Sequence, residues 1–108
     1  MTNILEKIIQ EKKEALEIIK KNNSLSSLED KIKTIKTFLN FKDAISNNKN
    51  VSLISEIKKA SPSAGILVKN FNHVDIAKLY VDNGATCLSV LTEEKNFLGK
   101  LDYIKDIK

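Results

Sequence analysis

Arginine is absent from this chain of 108 residues: all 18 basic side chains are lysines, set against 14 acidic ones. Proteins that read phosphates and base edges lean on the bidentate guanidinium fork. Here the lysines alternate with Glu and Asp rather than clustering with aromatics, which argues against a nucleic-acid partner and for a solvated, mixed-charge surface. Cysteine is nearly absent. Cys87 stands alone, so no internal disulfide forms, and with one histidine no Cys/His cluster has metal-ligand spacing. A reducing, cytoplasmic setting fits that thiol. Long apolar runs are missing as well: "MTNILEKIIQEKKEALEIIKK" breaks its hydrophobics with charges every few residues, unlike a signal peptide. No stretch approaches the roughly 20 apolar residues of a membrane span. The length suits one small domain with a core and is too short for two.

What is present is organised by period. Ile4, Leu5, Ile8, Ile9, Leu16 and Ile19 recur at helical spacing with Glu and Lys between them, the pattern of an amphipathic helix over residues 4–20. "NNSLSS" interrupts it, and Ser26 with Glu29 three residues later reads as a capping box for a second helix carrying Leu28, Ile32 and Ile35. A short segment, Phe41 to Ile45, runs into the turn-forming "SNNKN". At Val51 the period changes. "VSLISEIK" is short, apolar and β-branched, which predicts a mostly buried strand from Val51 to Lys58 with Glu56 and Lys58 on one face. A loop follows from Ala60 to about Phe71. Asn72 and Asp75 mark the start of a helix that carries Ile76, Ala77, Tyr80 and Val81 and stops at Gly84. "ATCLSVLT" is a second buried strand, and Leu101, Ile104 and Ile107 begin a further helix. Strand, helix and strand in succession make a βαβ unit, so the expected class is α/β with a parallel sheet, a helical extension over residues 1–48 and β-α-β-α over 49–108.

Ligands of α/β folds gather at the carboxyl ends of strands, which singles out Glu56 and Lys58. By themselves the two residues favour a structural ion pair slightly over a reactive one, because no base, nucleophile or Gly-rich phosphate loop stands beside them. Pro62 stiffens "ASPSAG" into a bend whose hydroxyls either face the sheet end or form a plain polar turn. Ser89, inside an apolar strand, needs a hydrogen-bond partner, by default the backbone. Phe97, in "TEEKNFLG", reads as a loop anchor or a substrate platform. His73 is expected to be exposed and Cys87 to be a small buried hydrophobe.

Together "ISEIKKASPSAGIL" and "FNHVDIAKLYVDNGATCLSVLTEEKNFLG", with "LDYIKDIK" in register and "ILEKIIQEKKEAL" more weakly, resemble the indole-3-glycerol phosphate synthase family. The resemblance implies a (βα)8 TIM barrel of which this chain supplies the N-terminal part, about two βα units, after a helical extension. It implies a decarboxylating ring closure of an anthranilate-bearing deoxyribulose 5-phosphate, with no metal or organic cofactor, in tryptophan biosynthesis. Lys58 resembles the strand-1 lysine that contacts the substrate and delivers a proton, and Glu56 its carboxylate partner. Ser61 resembles a substrate contact from the loop, Phe97 the aromatic residue of the anthranilate pocket, and Ser89 and Leu91 inward-facing residues of the second strand. A barrel of this kind has eight strands. The chain is therefore expected to be inactive alone and to associate with the remainder of the barrel or with itself.

Two other readings stay open. One keeps a phosphosugar barrel but gives Lys58 a Schiff-base role. The other is a non-catalytic helical and βαβ module whose first helix binds a partner.

Overall fold

The helix boundaries of the computed structural model follow from capping chemistry; it describes residues 3–47 and 49–108. Helix α1 (Ile4–Asn22) starts where extended Asn3 turns its side-chain oxygen to accept the Leu5 N–H at 2.8 Å. It ends at Asn23, whose backbone and side-chain N–H groups both donate to the Ile19 carbonyl. Helix α2 (Leu25–Lys33) corrects the sequence reading. Its N-cap is Ser24, not Ser26: Ser24 has the extended backbone a cap requires, and its hydroxyl accepts the Ser27 N–H at 3.2 Å. Ser26 lies inside the helix and bonds sideways to Ser24. The helix stops before Ile35, where the Thr34 hydroxyl donates to the Lys31 carbonyl. These two helices form one compact unit, Met1–Leu39, and neither contains a buried residue.

The second unit, Asn40–Lys108, holds the sheet. It opens with α3 (Phe41–Ser46), which packs against β4 (Cys87–Val90) and is tied to the chain before β1 (Ile54–Ile57) by the Ser52 hydroxyl donating to the Ile45 carbonyl. Strands β1 and β4 pair in parallel, with Ile54 opposite Cys87, Ser55 opposite Leu88, Glu56 opposite Ser89 and Ile57 opposite Val90. The ladder is held below by Thr86, whose hydroxyl accepts the Leu53 N–H, and above by the Leu91 N–H donating to the Ile57 carbonyl.

The strand over 51–58 is shorter and wetter than its composition suggests. Only four residues pair, Val51 is 95% exposed, and of β1 only Ile57 is buried. The reason is cover: a parallel strand is buried when sheet and helices flank it on all sides, and here one edge is paired and one face carries a helix. The expected loop after β1 contains a small antiparallel hairpin, β2 (Ala60–Ser61) with β3 (Gly65–Ile66). Gly65, at φ +65°, makes the return that a side chain would strain.

Helix α4 (His73–Asp82) begins as its sequence indicates, with the Asn72 side chain accepting the Asp75 N–H at 3.0 Å. At its end the Gly84 N–H reaches the Val81 carbonyl and the Ala85 N–H the Tyr80 carbonyl, a Schellman closure that requires the φ of +97° at Gly84. Helix α5 (Asp102–Ile107) packs on α4. His73, expected to be exposed, is largely enclosed there: its Nε2 lies 2.8 Å from an Asp106 carboxylate oxygen, and its ring stacks on Tyr103 at 4.1 Å, with Phe71 beyond. Cys87 is half-buried rather than buried. Among the described residues no helix is long and apolar enough to cross a membrane.

The buried apolar core is Ile57, Ala60 and Ala77, centred where α4 crosses β1. Ile57→Ala should lower unfolding free energy by about 2 kcal/mol, at the low end for such truncations because the half-exposed surroundings relax into the gap. Leu79→Ala, at a 60% exposed position on the same helix, should change it little. Urea midpoints of the two variants measure the difference.

Candidate functional site at the carboxyl ends of the parallel strands

Parallel pairing sends the carboxyl ends of β1 and β4 to the same side, and the pleat then sorts their side chains. Ile54, Glu56 and Lys58 share a face with Cys87, Ser89 and Leu91. On that face the Lys58 ammonium lies 3.2 Å from Glu56 Oε1, and the Ser89 hydroxyl donates to Glu56 Oε2 at 3.0 Å. Both carboxylate oxygens are therefore engaged. From the helix layer Tyr80 donates its phenolic hydrogen to the Glu56 main-chain carbonyl at 3.0 Å, fixing the backbone beneath the carboxylate. Lys58 and Glu56 remain 35% and 47% exposed. An ion pair that wet contributes about 1 kcal/mol or less to stability, so the arrangement matters as an orientation of charge facing open space.

Of the residues the sequence singles out, the fold thus brings Glu56, Lys58 and Ser89 together, Lys58 by an ion pair and Ser89 by a hydrogen bond to the one carboxylate, and it extends the same face upward to Leu91. The partner of Ser89 is a side chain, not the backbone expected by default. Ser61 stands at the hairpin beyond β1, where its hydroxyl accepts the Ala64 N–H at 3.2 Å. Phe97 is half-buried in the turn after β4. Among the described residues no group of three or more His, Cys, Asp or Glu side chains is gathered as metal ligands.

Glu93 is a further residue of this region, one that the sequence pattern does not single out. Its carboxylate is the centre of the turn after β4: Oε2 accepts the N–H groups of Asn96 at 2.7 Å and Phe97 at 3.0 Å, while Oε1 accepts the Lys95 N–H and the Asn96 side-chain amide at 3.2 Å. Partial burial works against ionisation, but the hydrogen bonds from Asn96, Phe97 and Lys95 outweigh it and hold this carboxyl below its ordinary value. The turn is closed by the Gly99 N–H donating to the Glu93 carbonyl at 2.7 Å. Gly99 is indispensable there, since a Cβ would lie 2.1 Å from the Leu91 carbonyl oxygen. The signal was available: a carboxylate followed by a short polar turn and a glycine, where successive N–H groups need an acceptor.

The sign of the resulting pH effect follows from the lowered value. The folded turn favours ionised Glu93, so its contribution is complete above the ordinary carboxylate range and is lost as pH falls through the lowered folded-state value. The amide chemical shifts of Asn96 and Phe97 should hold steady through neutral pH and titrate together only below that ordinary range. Glu93→Gln should abolish the step, which a two-dimensional amide NMR titration would register.

The family profile described as indole-3-glycerol phosphate synthase matches residues 5–108. The chain is similar to proteins named indole-3-glycerol phosphate synthase from Desulforamulus reducens, 46% identical over 105 residues, covering 97% of this chain and 40% of that protein. It is likewise similar to those from Acaryochloris marina, 43% identical over 107 residues and covering 98% and 35%, and Legionella pneumophila strain Lens, 44% identical over 105 residues and covering 96% and 40%. The chain thus spans about two-fifths of the length of the curated relatives it matches.

Proposed function

Because the chain belongs to the indole-3-glycerol phosphate synthase family, we propose that it contributes the first-strand side of an active site that closes the indole ring. The substrate is 1-(2-carboxyphenylamino)-1-deoxyribulose 5-phosphate. The ring carbon that bears the carboxylate attacks the ketose carbonyl carbon, carbon dioxide leaves, and the former carbonyl oxygen departs as water to give indole-3-glycerol phosphate. The reaction is that of a carbon-carbon lyase. As negative charge develops on the carbonyl oxygen a positioned proton donor lowers the barrier. Lys58 takes that role, with Glu56 orienting it; Ser61, Ser89, Leu91 and Phe97 line the substrate.

The observation that carries this reading is the Glu56 carboxylate held between Lys58 and Ser89 on one face of two parallel strands, at their carboxyl ends. In this reading residues 49–108 are the first two βα units of a (βα)8 barrel, and 1–48 are its helical extension. The change from helical to strand period sets that boundary, whereas compactness groups α3 with the sheet and divides the chain after Leu39. The remaining strands and the phosphate-binding loops come from the rest of the barrel, with which the chain associates; without it, it self-associates through its open strand edges. A reducing, cytoplasmic setting accords with the single thiol.

The chain alone should form no indole-3-glycerol phosphate, and mixing it with the C-terminal portion of a relative's barrel should restore turnover. In the reconstituted protein Lys58→Ala should cut kcat by about 10²- to 10⁴-fold with little loss of stability, since the side chain is half-exposed. Product formation followed by fluorescence tests both points. Full activity in the Lys58 variant would sink the assignment.

A further inference from the structure

The turn after β4 is held more firmly than a connection needs. Three consecutive backbone N–H groups, those of Lys95, Asn96 and Phe97, converge on one carboxylate, and the N–H of Phe97 itself is among them. The position of the Phe97 Cα is thereby set by Glu93. On the far side Leu98 adopts a φ of +53°, a left-handed conformation that a non-glycine residue takes only where its surroundings impose it. Gly99 then bonds back to the Glu93 carbonyl and sits against the Leu91 main chain with no room for a methyl group. Glu93 and Gly99 therefore clip the turn at both ends, and its seat is the main chain of Leu91, two residues beyond Ser89. The turn and the Glu56–Lys58–Ser89 group are built on one strand end.

We propose that Glu93 is a positioning residue for substrate recognition: it fixes Phe97, through the backbone, in the place where the aromatic ring meets the substrate's anthranilate. The inference rests on the proposed function, because only there does Phe97 have a substrate to meet. Glu93 touches neither the Glu56–Lys58–Ser89 group nor, in this role, the substrate. Its effect is to reduce the freedom Phe97 would otherwise lose on binding, which acts on affinity more than on the chemical step.

The test is steady-state kinetics on the reconstituted barrel with 1-(2-carboxyphenylamino)-1-deoxyribulose 5-phosphate. The variants are Glu93→Gln, Glu93→Asp, Phe97→Leu and the Glu93→Gln/Phe97→Leu double variant. Glu93→Gln keeps one accepting oxygen of two and should raise KM about tenfold while kcat changes less than about threefold. Glu93→Asp, which retains the charge, should recover part of that loss. The double variant should be no worse than Phe97→Leu alone, because Glu93 acts through Phe97. If Phe97→Leu raises KM but Glu93→Gln does not, or if the two effects simply add, the positioning role is overturned while the reading of Phe97 stands. If Phe97→Leu leaves KM unchanged, the reading of Phe97 as a substrate contact falls and the inference falls with it. Should Glu93→Gln fold poorly, Glu93→Ala, measured at a temperature where it and the parent are both folded, decides: a KM equal to that of the parent overturns the role.

Discussion

The parallel register that sets Glu56 opposite Ser89 is the constraint on which the rest of the second unit depends. Side chains alternate along a strand, so a slip of one residue would send Glu56 to the helix side and bring Ile57 to the open face. Three features hold the register in place. The Thr86 hydroxyl accepts the Leu53 N–H at one end of the ladder, the Leu91 N–H reaches the Ile57 carbonyl at the other, and Tyr80 ties α4 to the Glu56 carbonyl from behind. The register also determines where β4 ends, and therefore where the turn built on Glu93 begins.

Energetically the site is not what keeps this unit folded. The ion pair is too wet to contribute much, and the buried core is small. Leu53 and Ile54 are adjacent, so they point to opposite faces of β1, and both are about half exposed. A parallel strand with apolar residues on both faces is a strand made for cover on both faces. Leu79 and Val81 on α4 and Leu101 and Ile104 on the α5 side are exposed as well. That lack of cover is why strands that read as buried from composition are only half-buried here.

Features whose physics is local were the most legible in the sequence. The Asn72 cap, the Gly84 closure and the shared face of Glu56 and Lys58 each depend on a few adjacent residues, and each stands in the structure as its spacing indicates. The cap of α2 lies two residues before the position that spacing indicates, because Ser24 and Ser26 both carry a hydroxyl that can cap and only backbone conformation chooses between them. Contacts that cross the chain were not legible. The Asp106 partner of His73 lies 33 residues away, as does the Glu56 partner of Ser89, and neither is signalled by a pattern near it. Glu93 is the intermediate case: its partners are close in sequence, but a Glu before a polar turn is common, and only the convergence of several N–H groups on it distinguishes this one.

The hydrogen-bond inventory separates the residues of the candidate site by what each still has to offer. A hydroxyl has one donor and two acceptor lone pairs. Ser89 commits its only hydrogen to Glu56, so toward a substrate it can accept but cannot donate unless it releases the carboxylate. Ser61 is the reverse: it accepts the Ala64 N–H and keeps its own hydrogen free of that bond. Lys58 carries three hydrogens on an ammonium that is ion-paired with Glu56. Of the three, Lys58 and Ser61 therefore keep hydrogens that these contacts do not use. Ser89 instead spends its hydrogen on the far oxygen of the carboxylate that Lys58 faces.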